Sequence, residues 1–83
     1  MPVKEVRETD KFKKIYKKLD NSLKIKLNKI LIKIIENPDI GKPMMYTRKG
    51  TRELYLKPFR ISYFFEKSAL ILYFLDIYHK DEQ

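Results

Sequence analysis

Apolar residues recur at helical spacing in the first part of the chain, with lysines at most of the positions between them. The first such set lies at i, i+3, i+4 and i+7: Phe12, Ile15, Tyr16 and Leu19. This pattern predicts an amphipathic helix with one buried stripe. Thr9 or Asp10 can cap its N-terminus, because both side chains accept hydrogen bonds from helical N–H groups.

A second helical pattern follows the polar break at 20–22 and stops at Pro38. Its apolar positions are Leu23, Leu27, Ile30, Leu31 and Ile34. The short break predicts an antiparallel hairpin of the two helices. Ile25 and Ile32 lie seven residues apart on the opposite side of the second helix. They either pack within the domain or receive a segment of a partner protein.

Strand-like segments surround this hairpin. Residues 3–7 can form a short strand, and residues 38–50 contain two prolines and two glycines without a period, which predicts an irregular loop. Runs rich in aromatic and β-branched residues follow at 51–57, 59–66 and 69–79. We therefore predict one α+β domain over residues 1–83. It has an N-terminal strand, a helical hairpin and a three-stranded antiparallel meander, with the helices on one face of the sheet.

Alternation along the strands assigns side chains to the two faces of the sheet. The core set of the second run is Phe59, Ile61, Tyr63 and Phe65, which directs Arg60 outward. In the run before it, Leu54, Leu56 and Arg52 share the core side, and Glu53, Tyr55 and Lys57 the other. The last run is apolar on both sides, as in a strand at the middle of a sheet. We expect it to end at His79 and Lys80 beside the face that carries Arg60.

The charge balance narrows the class of partner. The chain has 19 basic and 11 acidic residues, a formal net charge of +8. Nucleic acid is the first candidate partner, an acidic protein the second and a membrane surface the third. Three of the four arginines, whose planar guanidinium groups suit phosphate, lie within thirteen residues: Arg48, Arg52 and Arg60.

Composition also bounds the chemistry. The absence of cysteine excludes disulfides and thiolate metal sites, and no apolar run resembles a signal peptide or a membrane span, so we expect a cytoplasmic protein. We expect no metal or cofactor, because the chain has a single histidine and its carboxylates show no recognisable ligand spacing. Histidine, carboxylate and arginine are sufficient for metal-free RNA cleavage by the RNA's own 2′-hydroxyl group.

The order of three motifs resembles the archaeal branch of the RelE/ParE superfamily of toxins from type II toxin–antitoxin modules. The motifs are NPDIGKPMMYTRKGTREL, FRISYFF and a hydrophobic strand that ends in DIYHKDEQ. The family pattern is a KPL…KG…R.L stretch, an aromatic-Arg-aliphatic-x-Tyr strand and a closing I.HR segment. The resemblance covers nearly the whole chain and includes the helical hairpin.

This resemblance implies a toxin that cleaves mRNA in the ribosomal A site and is neutralised by an acidic antitoxin. It implies a catalytic set of Arg60, His79, Lys80 and Glu53. Arg60 matches the family's active-site arginine, and the pair His79 and Lys80 matches its HR pair. The basic and aromatic residues around them are the predicted RNA contacts: Arg48, Lys49, Arg52, Tyr55 and Lys57.

Other interpretations stay open at this point. Arg60 can simply pair with Glu53 or Glu66 across the sheet, and His79 can be an exposed residue without a catalytic role. The chain can also be a gyrase-poisoning toxin of the ParE type. A third possibility is a binding module for nucleic acid or antitoxin that lacks catalysis.

Overall fold

Capping residues set the start of both helices in the computed structural model, which describes residues 3–79. α1 (Asp10–Lys18) begins after Thr9, whose hydroxyl accepts a hydrogen bond from the N–H of Phe12. α2 (Asn21–Glu36) begins after Asp20, whose carboxylate accepts from the N–H of Leu23. The predicted hairpin is present. No helix within the described part of the chain is long and apolar enough to cross a membrane.

Within residues 3–79, five strands form a mixed sheet in the order β1-β5-β4-β3-β2. They are β1 (Glu5–Glu8), β2 (Lys42–Pro43), β3 (Arg52–Leu56), β4 (Phe59–Glu66) and β5 (Ile71–His79). β1 pairs with β5 in parallel, and the other pairs are antiparallel. The α+β prediction is confirmed, and the apolar last strand lies inside the sheet between β1 and β4.

The segment predicted as an irregular loop has more structure than its composition indicates. It contains β2, which adds an edge strand to β3, and a short 3₁₀ helix, Tyr46–Arg48. Pro43 is compatible with this edge, because an outer strand does not need every N–H group for the ladder. The prediction of an irregular passage did not include these two short elements.

The core lies between the helices and one face of the sheet. Its fully buried apolar side chains are Phe12, Leu27, Ile34, Ile61, Tyr63, Leu72, Phe74 and Ile77. Phe59 and Phe65 pack against this cluster, so the predicted core side of β4 is confirmed. Ile25 and Ile32 are 59% and 55% exposed, so the interpretation that they pack within the domain is wrong.

A β-bulge in β5 changes the alternation of its side chains. Ser62 pairs with Asp76 but Tyr63 pairs with Phe74, which leaves Leu75 without a partner in the register. Thr9, at the end of β1, donates a hydrogen bond from its hydroxyl to the carbonyl of Leu75. Because one extra residue moves all later side chains to the other face, the bulge decides which side the end of β5 presents.

Two side chains anchor the segment before β2. The hydroxyl of Tyr63 donates a hydrogen bond to the carbonyl of Pro38 and accepts one from the N–H of Gly41, at 2.7 and 2.8 Å. Arg52 donates to the carbonyls of Asp39 and Gly41. These contacts fix the backbone that leads to β2 and so to the site described next.

Candidate active site

A buried carboxylate lies at the centre of the sheet face opposite the helices, here called the open face. Strand pairing aligns six of its side chains in two rows: Glu53, Ser62 and Asp76, then Tyr55, Arg60 and Tyr78. Glu53 is only 5% exposed, although it lies on the face predicted to be partly open. A buried carboxylate needs compensating partners, because removal of a charge from water is costly.

Three side chains surround the Glu53 carboxylate. Its Oε2 atom accepts a short hydrogen bond from the hydroxyl of Tyr78 and a second one, of 3.2 Å, from Arg48. Arg60 forms an ion pair with the other oxygen, at 3.6 Å between its Nη1 atom and Oε1. We call these four residues the arginine cluster. The sequence-based alternative in which Arg60 pairs with Glu53 is thus present in the structure.

Both arginines keep a solvent-exposed part while they contact the buried carboxylate. The side chains of Arg60 and Arg48 are 36% and 47% exposed. Arg60 lies over the ring of Tyr55, with 6.0 Å from its Cζ atom to the ring centroid, and Arg48 over the ring of Tyr78 at 5.2 Å. Two oriented guanidinium groups on one face form a potential binding site for a phosphate group.

The local backbone brings Arg48 to the cluster. Arg48 ends the 3₁₀ helix, and Gly50 follows with φ of +100°, a value that glycine adopts readily. The hydroxyl of Thr51 donates to the carbonyl of Arg48, at 2.7 Å, and so closes the turn. Arg48 is therefore held near Glu53 although its side chain is exposed.

The phenol of Tyr78 is shifted toward its neutral form. Burial raises the pKa of Tyr78, and the hydrogen bond that its hydroxyl donates to Glu53 raises this pKa further. The pKa of Arg48 is raised as well, first by its hydrogen bond to Tyr78, which is 2.8 Å long. Tyr78 therefore holds its proton at neutral pH. The sequence analysis missed this role, because Tyr78 lies in an apolar strand that reads as sheet cover.

His79 does not lie beside Arg60. It pairs with Phe59, and the two rings meet edge to face with 5.8 Å between their centroids. Phe59 packs against the core on the helix side of the sheet, so the expected position of His79 on the face of Arg60 is wrong. The bulge at Leu75 is the physical reason, because it reverses the alternation after Phe74. A catalytic role for His79 stays a prediction, and Lys80 lies outside the described residues.

The predicted RNA contacts separate into two groups. Tyr55 and Arg48 belong to the open face, whereas Arg52 points to the other side, where it binds the carbonyls before β2 and pairs with Asp39. Lys49 and Lys57 are exposed in the turns before and after β3. The structure thus brings Arg48, Tyr55 and Arg60 together on one face and leaves Arg52 as an anchor of the backbone.

Asp76 extends the open face toward α1. Its Oδ2 atom lies 3.1 Å from the Nζ atom of Lys11. A cavity of about 350 Å³ separates this ion pair from Arg48 and Tyr78. Within residues 3–79, no group of three or more histidine, cysteine or acidic side chains is arranged to hold a metal ion.

Solved structures of similar fold come from bacterial and archaeal toxin–antitoxin systems. The RelBE2 toxin–antitoxin complex of Mycobacterium tuberculosis contains a chain that matches with a TM-score of 0.83 at 20% identity, over 96% of this chain and 94% of that chain. A chain of the archaeal RelE–RelB complex from Pyrococcus horikoshii matches over the full length of both chains, with a TM-score of 0.78 at 11% identity. The isolated RelE toxin of E. coli matches with a TM-score of 0.77 at 16% identity, over 89% of this chain and 81% of that chain.

The sequence comparison identifies the family. Residues 6–83 match the family described as the ParE toxin of the type II toxin–antitoxin system parDE. No curated protein sequence gives a significant match. The chain is a RelE/ParE-like toxin of a type II toxin–antitoxin module and belongs to this family. The resemblance drawn from the three sequence motifs is confirmed.

Proposed function

We propose that this toxin is an endoribonuclease that cleaves mRNA on the ribosome and is neutralised by an acidic antitoxin. The observation that carries the proposal is the arginine cluster, in which two half-exposed guanidinium groups are oriented by one buried carboxylate. Such groups stabilise the charge that develops on a phosphate during cleavage without reorganising at the moment of reaction. The solved structures of similar fold include RelE toxins, and the resemblance drawn from the sequence motifs implies this activity.

The proposed reaction uses the RNA's own nucleophile. The 2′-hydroxyl oxygen attacks the adjacent phosphorus, its proton passes to a base, and the bond from phosphorus to the 5′-oxygen breaks. An acid protonates this leaving oxygen, so the products are a 2′,3′-cyclic phosphate and a 5′-hydroxyl. Arg60 and Arg48 bind the phosphate oxygens. Tyr78 lies on the same face and keeps its proton at neutral pH, so it is the candidate acid for the leaving oxygen, although the rise of its pKa lowers its acid strength. This mechanism requires no metal ion bound to the toxin.

The base is to be found among His79, Lys80 and Glu53. Glu53 lies on the correct face but already contacts Tyr78, Arg48 and Arg60. His79 can accept a proton but contacts Phe59 on the other face. Replacement of His79 by alanine distinguishes these candidates. A loss of roughly 10²-fold in cleavage identifies His79 as the base, whereas a change within a few-fold assigns the role to Lys80 or Glu53.

The antitoxin partner follows from charge and from an exposed apolar strip. The net charge of +8 favours an acidic protein, and Ile25 and Ile32 offer more than half of their surface on α2. Solved relatives include complexes with RelB antitoxins. A complex held by charge and by apolar contacts should survive moderate salt. A complex held by charge alone should dissociate steeply as the salt concentration rises to a few hundred millimolar.

Inhibition of gyrase is the second candidate, because the matching family is described as the ParE toxin. One experiment separates the two activities. Purified toxin is incubated with ribosomes that carry a defined mRNA, with the same mRNA alone, and with gyrase and a plasmid. The proposal expects mRNA cleavage only in the presence of ribosomes and unchanged supercoiling. Loss of supercoiling with intact mRNA would instead establish the gyrase activity, and inactivity in all three assays would indicate a binding module.

A further inference from the structure

A cavity of about 470 Å³ lies beside Arg60, at the edge of the sheet formed by β2 and β3. Its lining includes Ile40, Lys42, Met44, Glu53, Tyr55 and Arg60. The volume lies within the range of roughly 300–1,000 Å³ that small-ligand sites occupy. The cavity joins an apolar wall to the charged residues of the arginine cluster, a combination that suits a ligand with one flat apolar part and one anionic part.

The apolar part of the cavity suits a planar ring. Tyr55 is 47% exposed and Ile40 is 43% exposed, while Met44, which lines the same cavity, is half-buried. The guanidinium of Arg60 lies 6.0 Å from the centroid of the Tyr55 ring. An exposed aromatic face beside an arginine is the arrangement on which proteins stack the bases of single-stranded nucleic acid.

The polar part offers a donor beside an acceptor. The side chain of Glu53 is 96% buried, since only 4% is exposed, and its Oε1 atom accepts no hydrogen bond from the described residues. The Nε atom of Arg60 is likewise buried and donates none within the same range. Unmade hydrogen bonds at buried atoms are unfavourable. The edge of a nucleobase, which presents an N–H group next to an acceptor, would satisfy both atoms after a small shift of Arg60.

We infer that this cavity binds one nucleobase of single-stranded RNA, with the attached phosphate between Lys42 and Arg60. The inference rests on the proposed function for its natural substrate and adds the position of the base next to the reacting phosphate. An acidic peptide would also meet the two cations. The half-exposed ring of Tyr55 favours a base, because a planar base stacks on an aromatic face and an aliphatic acidic side chain does not.

NMR titration of the purified toxin tests this site directly. The probes are the four nucleoside 3′-monophosphates, and ribose 5-phosphate serves as a ligand with the sugar and phosphate but no base. Signals of the Met44 methyl group and the Tyr55 ring should shift with at least one nucleotide, which should bind roughly tenfold tighter than ribose 5-phosphate. Tyr55→Ala should weaken this binding about tenfold, and Tyr55→Phe should preserve it.

Tyr46→Ala is the matched control, since Tyr46 is 89% exposed and does not line the cavity. It should bind the nucleotide as the unmodified toxin does. Equal binding of ribose 5-phosphate and all nucleotides would overturn the inference. Displacement of the Met44 and Tyr55 signals by a peptide of glutamate and leucine, with none by nucleotides, would identify a protein-docking site instead.

The same measurements separate this inference from the proposed function. Nucleotide binding at Met44 and Tyr55 in a toxin that leaves ribosome-bound mRNA intact would refute the cleavage proposal alone. Cleavage whose sequence preference and rate are unchanged by Tyr55→Ala, together with silent NMR signals, would refute the base site alone.

Discussion

Replacement of Glu53 by glutamine removes the negative charge at the centre of the arginine cluster and keeps the shape of the side chain. Its Oε2 atom accepts hydrogen bonds from Tyr78 and Arg48, and Oε1 lies 3.6 Å from Nη1 of Arg60. Hydrogen bonds to a charged group contribute roughly 1.5–3 kcal/mol, and neutral ones roughly 0.5–1.5 kcal/mol. The substitution makes the bond from Tyr78 a neutral one, which weakens it by about 1 kcal/mol, whereas the bond from Arg48 keeps its charged donor and weakens by less than that.

The ion pair with Arg60 adds little to this sum, because Arg60 is partly exposed and water can solvate it after the change. We expect a loss of about 1–2 kcal/mol in the free energy of unfolding, or roughly 5–10 °C in Tm for a domain of this size. Urea unfolding at neutral pH measures it. Glu36→Gln, at the exposed end of α2, is the matched control and should stay within about 0.5 kcal/mol of the unmodified protein. If Glu53→Gln also stays within that range, the carboxylate does not hold the cluster.

Three further changes probe the frame around the site. Thr9→Val removes the cap of α1 and the hydrogen bond to the carbonyl of Leu75, so urea unfolding should show a loss of roughly 1–2 kcal/mol; an unchanged midpoint would contradict the cap's role. Gly41→Ala would place a methyl group 2.8 Å from a ring carbon of Tyr63. Because this contact is too close, we expect calorimetry to show a lower Tm, and an unchanged Tm would contradict the close packing. Burial raises the pKa values of Tyr63 and Tyr78, so the folded state holds these protons more tightly. The contribution of these two tyrosines to stability should be constant below the ordinary tyrosine pKa of 10.0. It should fall as the pH rises through that pKa. Tyr78→Phe should make this fall shallower in unfolding measured from about pH 8 to 11, and an identical slope would speak against a buried phenol.

The sequence predicted those features that depend on local periodicity. Both helices and the core side of β4 follow from spacing alone, because one buried face repeats with the period of the element. Of the two cap candidates for α1, Thr9 and Asp10, the structure uses Thr9. The outward direction of Arg60 follows for the same reason. The motif order then identified the family.

The arrangement of the site depends on features that periodicity does not encode. The bulge at Leu75 depends on how β1 and Thr9 meet β5, and it moved His79 to the side of Phe59. The contact between Arg48 and Glu53 depends on a turn inside a segment that reads as a loop. Sequence reasoning could therefore place Arg60 on the open face but could not show that Glu53 is buried beneath it.

Cleavage of ribosome-bound mRNA by Arg60→Ala, compared with the unmodified toxin, tests the central claim most directly. Arg7→Ala is the matched control, because Arg7 is an exposed arginine that lies over Tyr73 and pairs with Glu5, away from the cluster. The proposal predicts that loss of Arg60 slows cleavage by roughly 10²–10³-fold, as expected when one preorganised charge donor is removed, while Arg7→Ala cleaves normally. A folded Arg60→Ala variant that cleaves as fast as the unmodified toxin would contradict the role of Arg60 in binding the reacting phosphate.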